Sequence, residues 1–370
     1  MPDAKLYAWW AHRQGLDGSF SGLSASEVLE RAGWARSVGG AAPYLTLFSR
    51  AGIRRDDADA GVAKVAIQEL PCARGCTYVV PASDYALALA AGQPFAGDEM
   101  KVARKLGVTD AEIAKLRAAV LKSLAGEPLD MDAIREKVGG AARNLGPEGV
   151  KKGLATTLPV AVGLLQTSGE IRRLPVNGRL DQQRYRYALW KPGPLEGWSK
   201  TQEESFVELA RKFFSWIGPA RISEFEEFAG LGVKAAKSAV APLNLVEVAE
   251  EYLILGNDEA EFRKFKAPAQ PQYALISSID TILLKHQGLQ GRNHTILDRG
   301  QAIGEWAFDQ ETNSIAWASS VKRTRALEEA VARMENFIKE DLGDARSVSL
   351  DSPKSRAPRI EELRKAATAS

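Results

Sequence analysis

The order of local signals in the middle of the chain constrains its fold more than any other feature. Apolar residues at helical spacing predict a helix over residues 110–122, and Asp130 is placed to cap a second helix. Thr156-Thr157-Leu158-Pro159 is typical of a helix start, and this third helix is expected to end at Gly169. Asn177-Gly178 then lies near two runs of β-forming residues, which favours a hairpin. Three helices followed by a hairpin is the order of a winged helix-turn-helix.

The same order recurs on both sides of this segment. Downstream, helices are expected over residues 202–216, 223–229 and 233–243, followed by a short hairpin. Upstream, the order is repeated less cleanly. The sequence therefore predicts an α+β fold with three tandem winged helix-turn-helix modules, a small C-terminal β region with a helix, and a partly disordered tail poor in apolar residues. The expected boundaries are 1–95, 100–192 and 200–258 for the modules, 270–340 for the C-terminal region and 341–370 for the tail.

The net charge is only +2 at pH 7, but the positive charge is concentrated in one segment. Residues 101–190 contain 16 Lys and Arg against 9 Asp and Glu, whereas residues 1–100 and 191–270 are net acidic and residues 271–370 are neutral. Such a segment suits a polyanion, because affinity for nucleic acid comes largely from phosphate neutralisation. The expected partner is double-stranded DNA.

Basic and hydroxyl side chains of the middle module are the expected DNA contacts. In a winged helix the third helix commonly enters the major groove, and the wing reaches the backbone or minor groove. Arg184 and Arg186 alternate with Tyr185 and Tyr187, so the arginines should share one strand face and the tyrosines the other. The alternative is a solvated basic face on a structural or protein-binding module. The expected contacts are Lys151, Lys152, Thr156 and Thr157 at the third helix, and Arg172, Arg173, Arg179, Arg184 and Arg186 on the wing.

Several functional classes lack their sequence signatures. The chain has no run of about 18 apolar residues, so no membrane-spanning helix is expected. Its first ten residues lack the pattern of a signal peptide, so the expected location is the cytoplasm, or the nucleoid in a bacterium. Cys72 and Cys76 have no histidines nearby and make a poor zinc site, so no role is assigned to them. Neither a metal nor a cofactor is expected, and no zinc-protease, nucleotide-binding-loop or serine-hydrolase motif is present.

Two stretches of the N-terminal module carry a distinctive pattern. Residues 42–50 read APYLTLFSR, and residues 74–82 read RGCTYVVPA. They resemble a helix of the type AARLALWAR and a strand of the type RGTLHLVPA in the winged-helix family that includes the AlkZ and YcaQ DNA glycosylases. The resemblance covers roughly residues 5–320 and implies a DNA-binding fold, with removal of alkylated bases and unhooking of interstrand crosslinks as the family activity. Weaker similarities lie in residues 13–16, 163–173, 217–220, 294–300 and 304–306.

The resemblance also implies a pair of polar side chains just before the helix of residues 42–50. Glycosylases of this family carry Gln-apolar-Gln or Gln-apolar-Asp there, thought to position the attacking water and to stabilise positive charge on the sugar. Matching on LFSR places Arg36 and Val38 at the two positions, whereas a slip of one residue places Ala35 and Ser37 there. Neither register supplies Gln or Asp, and an arginine would repel a cationic sugar. Arg36 is instead expected to bind a phosphate, and Arg74 from the matched strand is included among the DNA contacts.

The sequence is compatible with three functions. The preferred hypothesis is a DNA-binding protein that grips duplex DNA in a basic cleft, with a role in DNA repair implied by the resemblance. The first alternative is a monofunctional DNA glycosylase with a non-standard active site, whose catalytic residues are unknown beyond the motif positions 36–38. The second is a protein-interaction scaffold.

Overall fold

The computed structural model describes residues 3–286 and 293–369 of the chain. Helices are interspersed with antiparallel sheets along the chain, so the protein has the expected α+β class. Within these residues, no helix is both long enough and apolar enough to cross a membrane.

The N-terminal segment combines helices with a three-stranded antiparallel sheet. β3 is the central strand of this sheet, and its register with β1 sets Arg36 opposite Tyr78. Ser24 begins α2 with a capping box, because its side chain and that of Glu27 satisfy each other's backbone N–H groups. The elements are α1 (Ala4–Arg13), α2 (Ala25–Ala32), β1 (Ala35–Arg36), α3 (Ala42–Ala51), α4 (Arg55–Ala63), β2 (Ile67–Pro71), β3 (Thr77–Pro81) and α5 (Tyr85–Gly92).

The middle segment is a small helical unit followed by a two-stranded hairpin. The predicted cap is confirmed, because the Asp130 carboxylate accepts a hydrogen bond from the Ala133 N–H at 2.9 Å. Its third predicted helix begins at Leu158, with Pro159 in the first turn. The elements are α6 (Asp98–Lys105), α7 (Asp110–Ser123), α8 (Met131–Val138), α9 (Gly146–Lys151), α10 (Leu158–Thr167), β4 (Ile171–Pro175) and β5 (Tyr185–Leu189).

Helix α9 was not predicted, because its sequence reads as a glycine-rich turn. Pro147 starts the helix in its first turn. Gly149 lets the chain fold back on itself, since a Cβ there would lie 2.4 Å from the Leu154 carbonyl oxygen. Lys151 therefore ends a helix of its own instead of preceding α10 in a turn.

The third segment repeats helices and a hairpin much as expected. Thr201 caps α11 in a capping box with Glu204. Ala220 pairs with Leu253 in a short bridge that holds the hairpin against the helices. The elements are α11 (Gln202–Ile217), α12 (Ile222–Ala229), α13 (Val233–Val240), β6 (Leu245–Ala249), β7 (Tyr252–Leu255) and α14 (Gly256–Lys264).

The C-terminal part is a four-stranded antiparallel sheet of order β11-β10-β9-β8, with helices against it. Its last helix lies in the tail that the sequence predicts to be partly disordered. Few apolar side chains suffice there: Ile360 and Leu363 pack on Ala307 and Ala316 of the sheet. The elements are β8 (Tyr273–Ile276), α15 (Thr281–His286), β9 (His294–Asp298), β10 (Gln301–Asp309), β11 (Ser314–Ser319), α16 (Arg325–Phe337) and α17 (Pro353–Ala369).

The cores do not follow the order of the chain. The largest apolar cluster is shared by the N-terminal and third segments, with Trp10 of α1 packed into it together with Trp216 of α11. The middle segment has smaller clusters of its own, one of them around Leu116 and Leu165. The first and third segments are thus packed as one unit, although the middle segment separates them in sequence.

A buried polar junction lies beside this shared core. The Gln14 side-chain amide donates to the carbonyl oxygens of Ala32 and Trp216, both at 2.9 Å. Arg50 donates to the Gln14 amide oxygen at 2.6 Å and lies 2.8 Å from the Asp280 carboxylate. Both charged side chains are almost completely buried. The junction therefore joins α1, α2, α3, α11 and the turn before α15.

We predict that Arg50→Leu destabilises the protein by about 3–5 kcal/mol, because it leaves the Asp280 carboxylate buried without its counter-charge. Urea unfolding followed by tryptophan fluorescence measures this, since Trp10 and Trp216 report on the adjacent core. The control is Arg325→Leu, which removes an exposed i,i+4 ion pair with Glu329 and should cost about 0.5 kcal/mol or less. Equal effects of the two substitutions would contradict the assigned role of the junction.

Candidate functional site

A cavity of about 270 Å³ lies where the N-terminal sheet meets α11, α12 and α15. This volume is close to the lower end of the usual range for small-ligand sites, about 300–1,000 Å³. We call it the motif pocket, because residues 36 and 38 line it. Its wall mixes aromatic and charged side chains: Arg36, Val38, Arg74, Cys76, Tyr78, Phe213, Glu224, Glu227, Phe228, Ile279, His286 and Val348.

Residues 36–38 alternate between two faces of the chain. Arg36 and Val38 line the motif pocket, whereas the buried Ser37 side chain donates a hydrogen bond to Glu69 on β2. This is the alternation that an extended backbone requires. Of the two registers left open by the sequence, the one with Arg36 and Val38 therefore places both of its side chains at the pocket.

Arg36 brings a positive charge to the pocket wall. Its guanidinium carbon lies 5.3 Å from the centroid of the Tyr78 ring, an arrangement that attracts a cation to the ring face. Its Nη1 atom is buried and has no hydrogen-bond partner, and Arg36 forms no ion pair with any described residue. A buried donor that lacks a partner costs about 1–3 kcal/mol, so this atom requires an explanation.

Glu224 and His286 form a carboxylate–imidazole pair in the same pocket. Glu224 Oε2 lies 2.8 Å from His286 Nδ1 and also accepts from the Arg221 N–H at 2.7 Å. Glu224 is in the first turn of α12, where the helix dipole favours a carboxylate. The Trp10 ring contacts the imidazole edge-on, with centroids 4.0 Å apart. This pair could not be predicted from the sequence, because 62 residues separate its members and no local signal joins them.

Arg74 lies at the mouth of the pocket in a left-handed backbone conformation, with φ 58°. Its guanidinium donates to the Glu227 carbonyl oxygen at 3.1 Å and lies 3.6 Å from the Glu227 carboxylate. Gly230 is close to it, since a Cβ there would be 2.4 Å from the Arg74 side chain. Part of the charge expected to contact DNA is therefore balanced within the protein.

The C-terminal segment, residues 343–352, closes one side of the motif pocket. Val348 lines the pocket, and the Ser349 N–H donates to the Val38 carbonyl at 3.0 Å. The Ala41 N–H donates to the Arg346 carbonyl at 2.9 Å. Gly40 lies against this segment so closely that a Cβ would be 2.4 Å from the Ser347 carbonyl oxygen. The segment is thus hydrogen-bonded to the residues that directly follow Arg36.

We predict that Gly40→Ala loosens the C-terminal segment, because the added Cβ meets backbone carbonyls that cannot rotate away. Overpacking of this kind costs about 1–3 kcal/mol. Limited proteolysis should show faster cleavage within residues 343–352, since cleavage follows the population of the opened form. Gly140→Ala is the matched control, because no atom lies within 4 Å of its added Cβ. Unchanged cleavage in Gly40→Ala would contradict the close packing.

His294 fixes the start of the C-terminal segment in a pH-sensitive way. Its Nδ1 accepts from the Ser278 N–H at 2.9 Å, and its Nε2 contacts the Ala345 carbonyl at 2.7 Å. A carbonyl only accepts, so Nε2 carries the proton and the ring is neutral. Burial lowers the pKa of His294 to about 4, although the Ala345 carbonyl opposes this shift.

We predict that this histidine contributes to acid sensitivity. Its unfolded pKa is about 6.5, so the unfolded chain takes up a proton that the folded protein excludes as the pH falls from about 6.5 to 4. Above pH 6.5 this histidine does not lower the free energy of unfolding. By pH 4 its protonation in the unfolded chain lowers that free energy by about 3 kcal/mol. His294→Gln should lower stability at pH 7.5 but lose less stability between pH 6.5 and 4. Parallel stability–pH curves for the two proteins would show the prediction to be wrong.

A buried polar link connects Ser37, directly after β1, to the middle hairpin. Burial raises the pKa of the Glu69 carboxyl group, and the hydrogen bond from Ser37 opposes this shift. Arg173 of β4 donates to Gln166 at 2.5 Å and lies over the Tyr185 ring, 5.1 Å from its centroid. Burial, followed by the negative charge of Glu69, raises the pKa of Tyr185. The hairpin is therefore anchored at β2, whose Glu69 also binds the residue that follows Arg36.

The five hairpin arginines have different surroundings. Arg184 and Arg186 are exposed, while Tyr187 is buried and Tyr185 half-buried, which confirms the predicted alternation from the residue before β5 into the strand. Neither Arg184 nor Arg186 forms an ion pair with a described residue. Burial lowers the pKa of the half-buried Arg172 guanidinium, with Tyr85 opposing the shift.

Arg179 and Thr157 have roles inside the protein that differ from the expected DNA contacts. Arg179 pairs with Asp181 and donates to the Leu342 carbonyl at 3.0 Å, so its guanidinium holds the chain before the C-terminal segment. Thr157 is fully buried and leaves no surface for DNA, because its hydroxyl accepts from the Arg143 N–H at 3.0 Å. Thr156 is half-buried. Lys151 and Lys152 are exposed, and Lys151 is paired with Glu148 at 2.8 Å.

The two cysteines are free thiols in different environments. Burial raises the pKa of Cys72 well above its ordinary value, whereas Cys76 lines the motif pocket. In the described parts of the chain, no group of three or more His, Cys, Asp or Glu side chains is placed to hold a metal ion.

Comparison with known proteins agrees with this architecture. The solved structure of Streptomyces sahachiroi DNA glycosylase AlkZ superposes with a TM-score of 0.68 at 17% sequence identity, and the match covers 90% of this chain and 96% of that one. At this identity the likeness concerns the fold. The family of AlkZ-like DNA glycosylases matches residues 35–337, and the chain belongs to this family. The match includes Arg36 and His286 but ends before the C-terminal segment. No curated protein sequence matches the chain significantly.

Proposed function

We propose that this protein binds double-stranded DNA through the hairpin of its middle segment, in DNA repair and in contact with the nucleoid if the source is bacterial. The pair of Arg184 and Arg186 carries the proposal: Arg186 lies in β5, Arg184 directly precedes it, and both are exposed and unpaired among the described residues. The hairpin tip is also exposed, with Val176 at 50%. The net positive charge of residues 101–190 supports the same surface, because phosphate neutralisation provides most of the affinity for DNA.

The three helix-and-hairpin units, at residues 1–95, 100–192 and 200–258, act in this proposal as winged-helix modules. The middle one supplies the wing, with Lys151, Lys152 and Thr156 near the start of α10 as further contacts. Arg172 and Arg173 lie at the base of the wing. Arg36 and Arg74 in the motif pocket extend the basic surface toward the N-terminal unit, which is consistent with a cleft between them. Membership of the AlkZ-like family supports this arrangement.

A gel-shift titration of a 20–30 base-pair duplex at several salt concentrations tests the proposal. We predict that Arg184→Gln combined with Arg186→Gln weakens binding at least about tenfold at low salt. The slope of log K against log salt should fall by about 0.9 for each lost phosphate contact. The control is Arg325→Gln with Arg333→Gln, which removes the same charge from α16. Absence of binding by the native chain, or equal effects of both variants, would contradict the proposal.

The second candidate is a DNA glycosylase, and the motif pocket is the observation that favours it. Its wall holds Arg36 and Val38 at the positions where family enzymes carry their polar motif, and it contains the Glu224–His286 pair. A protein-interaction scaffold is the remaining alternative. It predicts that neutralising Arg172, Arg173, Arg184 and Arg186 leaves partner binding unchanged and that duplex DNA does not bind.

A further inference from the structure

Two residues that line the motif pocket each have a polar side-chain atom without a partner. Arg36 Nη1 comes from β1 and His286 Nε2 from α15, and each is buried without a hydrogen bond among the described residues. Each such atom costs about 1–3 kcal/mol when it remains unsatisfied. Buried polar groups in folded proteins nearly always have partners. Two exceptions among the residues that line one cavity therefore indicate a polar ligand.

The carboxylate of Glu224 orients the imidazole. In the neutral tautomer with its proton on Nδ1, that proton is donated to Glu224 Oε2 at 2.8 Å and Nε2 carries the lone pair. The ring orientation is fixed by the contact with Trp10 at 4.0 Å and by Tyr252 at 6.1 Å. A base oriented by a carboxylate is the arrangement found where a side chain activates water or a hydroxyl.

The charged groups around this pair differ in their partners. Arg74 is balanced by Glu227 at 3.6 Å, and Arg221 lies over the Tyr252 ring at 4.4 Å. Arg36 has no counter-charge among the described residues. Glu224 and His286 line the same pocket as Arg36. A reacting molecule in the pocket would thus meet both a donor cation and a carboxylate–imidazole pair.

We propose that the motif pocket hydrolyses the N-glycosidic bond of a modified nucleotide, with His286 as general base and Arg36 as the group that binds the departing base. The water oxygen forms a bond to the sugar carbon C1′ and its proton passes to His286 Nε2. The C1′–N bond breaks, and its electron pair leaves with the base, whose acceptor atom binds Arg36. Glu224 positions the imidazole and offsets positive charge on the sugar. This inference rests on the second proposed function, a DNA glycosylase.

The charge of Arg36 restricts the class of substrate. A base that carries no positive charge departs as an anion, and a cationic donor beside its acceptor atom stabilises that charge. A base that is already cationic departs as a neutral molecule and needs no such donor, and Arg36 repels it on entry. The pocket therefore suits uncharged modified bases.

Single-turnover base release by the full-length chain tests the inference. The duplexes contain hypoxanthine, 1,N6-ethenoadenine or uracil as uncharged bases, or 7-methylguanine as a cationic one, and gel shifts measure the affinity for each. We expect release of at least one uncharged base and slower release of 7-methylguanine. His286→Gln should slow release about 100-fold or more at unchanged duplex affinity, since a general base contributes about 10²–10⁴-fold.

The pH profile separates proton transfer from a structural effect. In the native chain the rate should fall on the acid side, as protonation removes the lone pair of His286. His286→Gln should abolish this acid limb. His12→Gln is the matched control, because His12 forms a similar pair with Asp17 at 2.7 Å outside the pocket. Its rate and profile should equal those of the native chain.

Arg36→Gln gives a readout that does not depend on loss of activity. It should slow release of the uncharged base and speed release of 7-methylguanine, which reverses the preference. Duplex binding without release from any of the four duplexes would overturn the inference and leave the DNA-binding function standing. An undiminished rate in His286→Gln, or an unchanged preference in Arg36→Gln, would also overturn it. Absence of duplex binding would remove both proposals together.

Discussion

The buried junction of Gln14, Arg50 and Asp280 holds together the parts of the chain that enclose the motif pocket. One amide side chain satisfies two carbonyl groups at the ends of α2 and α11, and it also accepts from Arg50. Arg50 in turn pairs with Asp280 directly before α15. Buried polar groups of this kind are costly in any arrangement that leaves one partner unmet. The junction therefore favours a single relative position of the strand with Arg36 and the helix with His286.

The walls of the pocket are held in two different ways. Arg36 is placed by short-range pairing of β1 with β3 and by the Tyr78 ring. His286 is placed by long-range contacts with Trp10 and Glu224. The C-terminal segment is hydrogen-bonded both to the residues after β1, at positions 38 and 41, and to the loop of the middle hairpin, at position 181. A conformational change in this segment would therefore affect both the motif pocket and the middle hairpin.

Local signals made part of this architecture predictable. Caps such as Asp130, and the alternation of Arg184 and Arg186 with tyrosines, depend only on neighbours a few residues away. Helix α17 escaped prediction because ion pairs such as that of Arg356 with Asp344 supplement its few apolar contacts. The pairing of Glu224 with His286 escaped it for another reason. The pair forms only when the first and third segments share a core, and no periodicity in the sequence predicts that packing.

Strand alternation explains how the chemistry of the pocket can change within a constant fold. Ser37 faces the buried Glu69, so packing and hydrogen bonding restrict what this position accepts. Arg36 and Val38 face a cavity, where charge and size are less constrained. An amide at position 36 would be neutral and both donate and accept, whereas a guanidinium only donates and keeps its charge. The pocket that holds this cation also contains the carboxylates of Glu224 and Glu227.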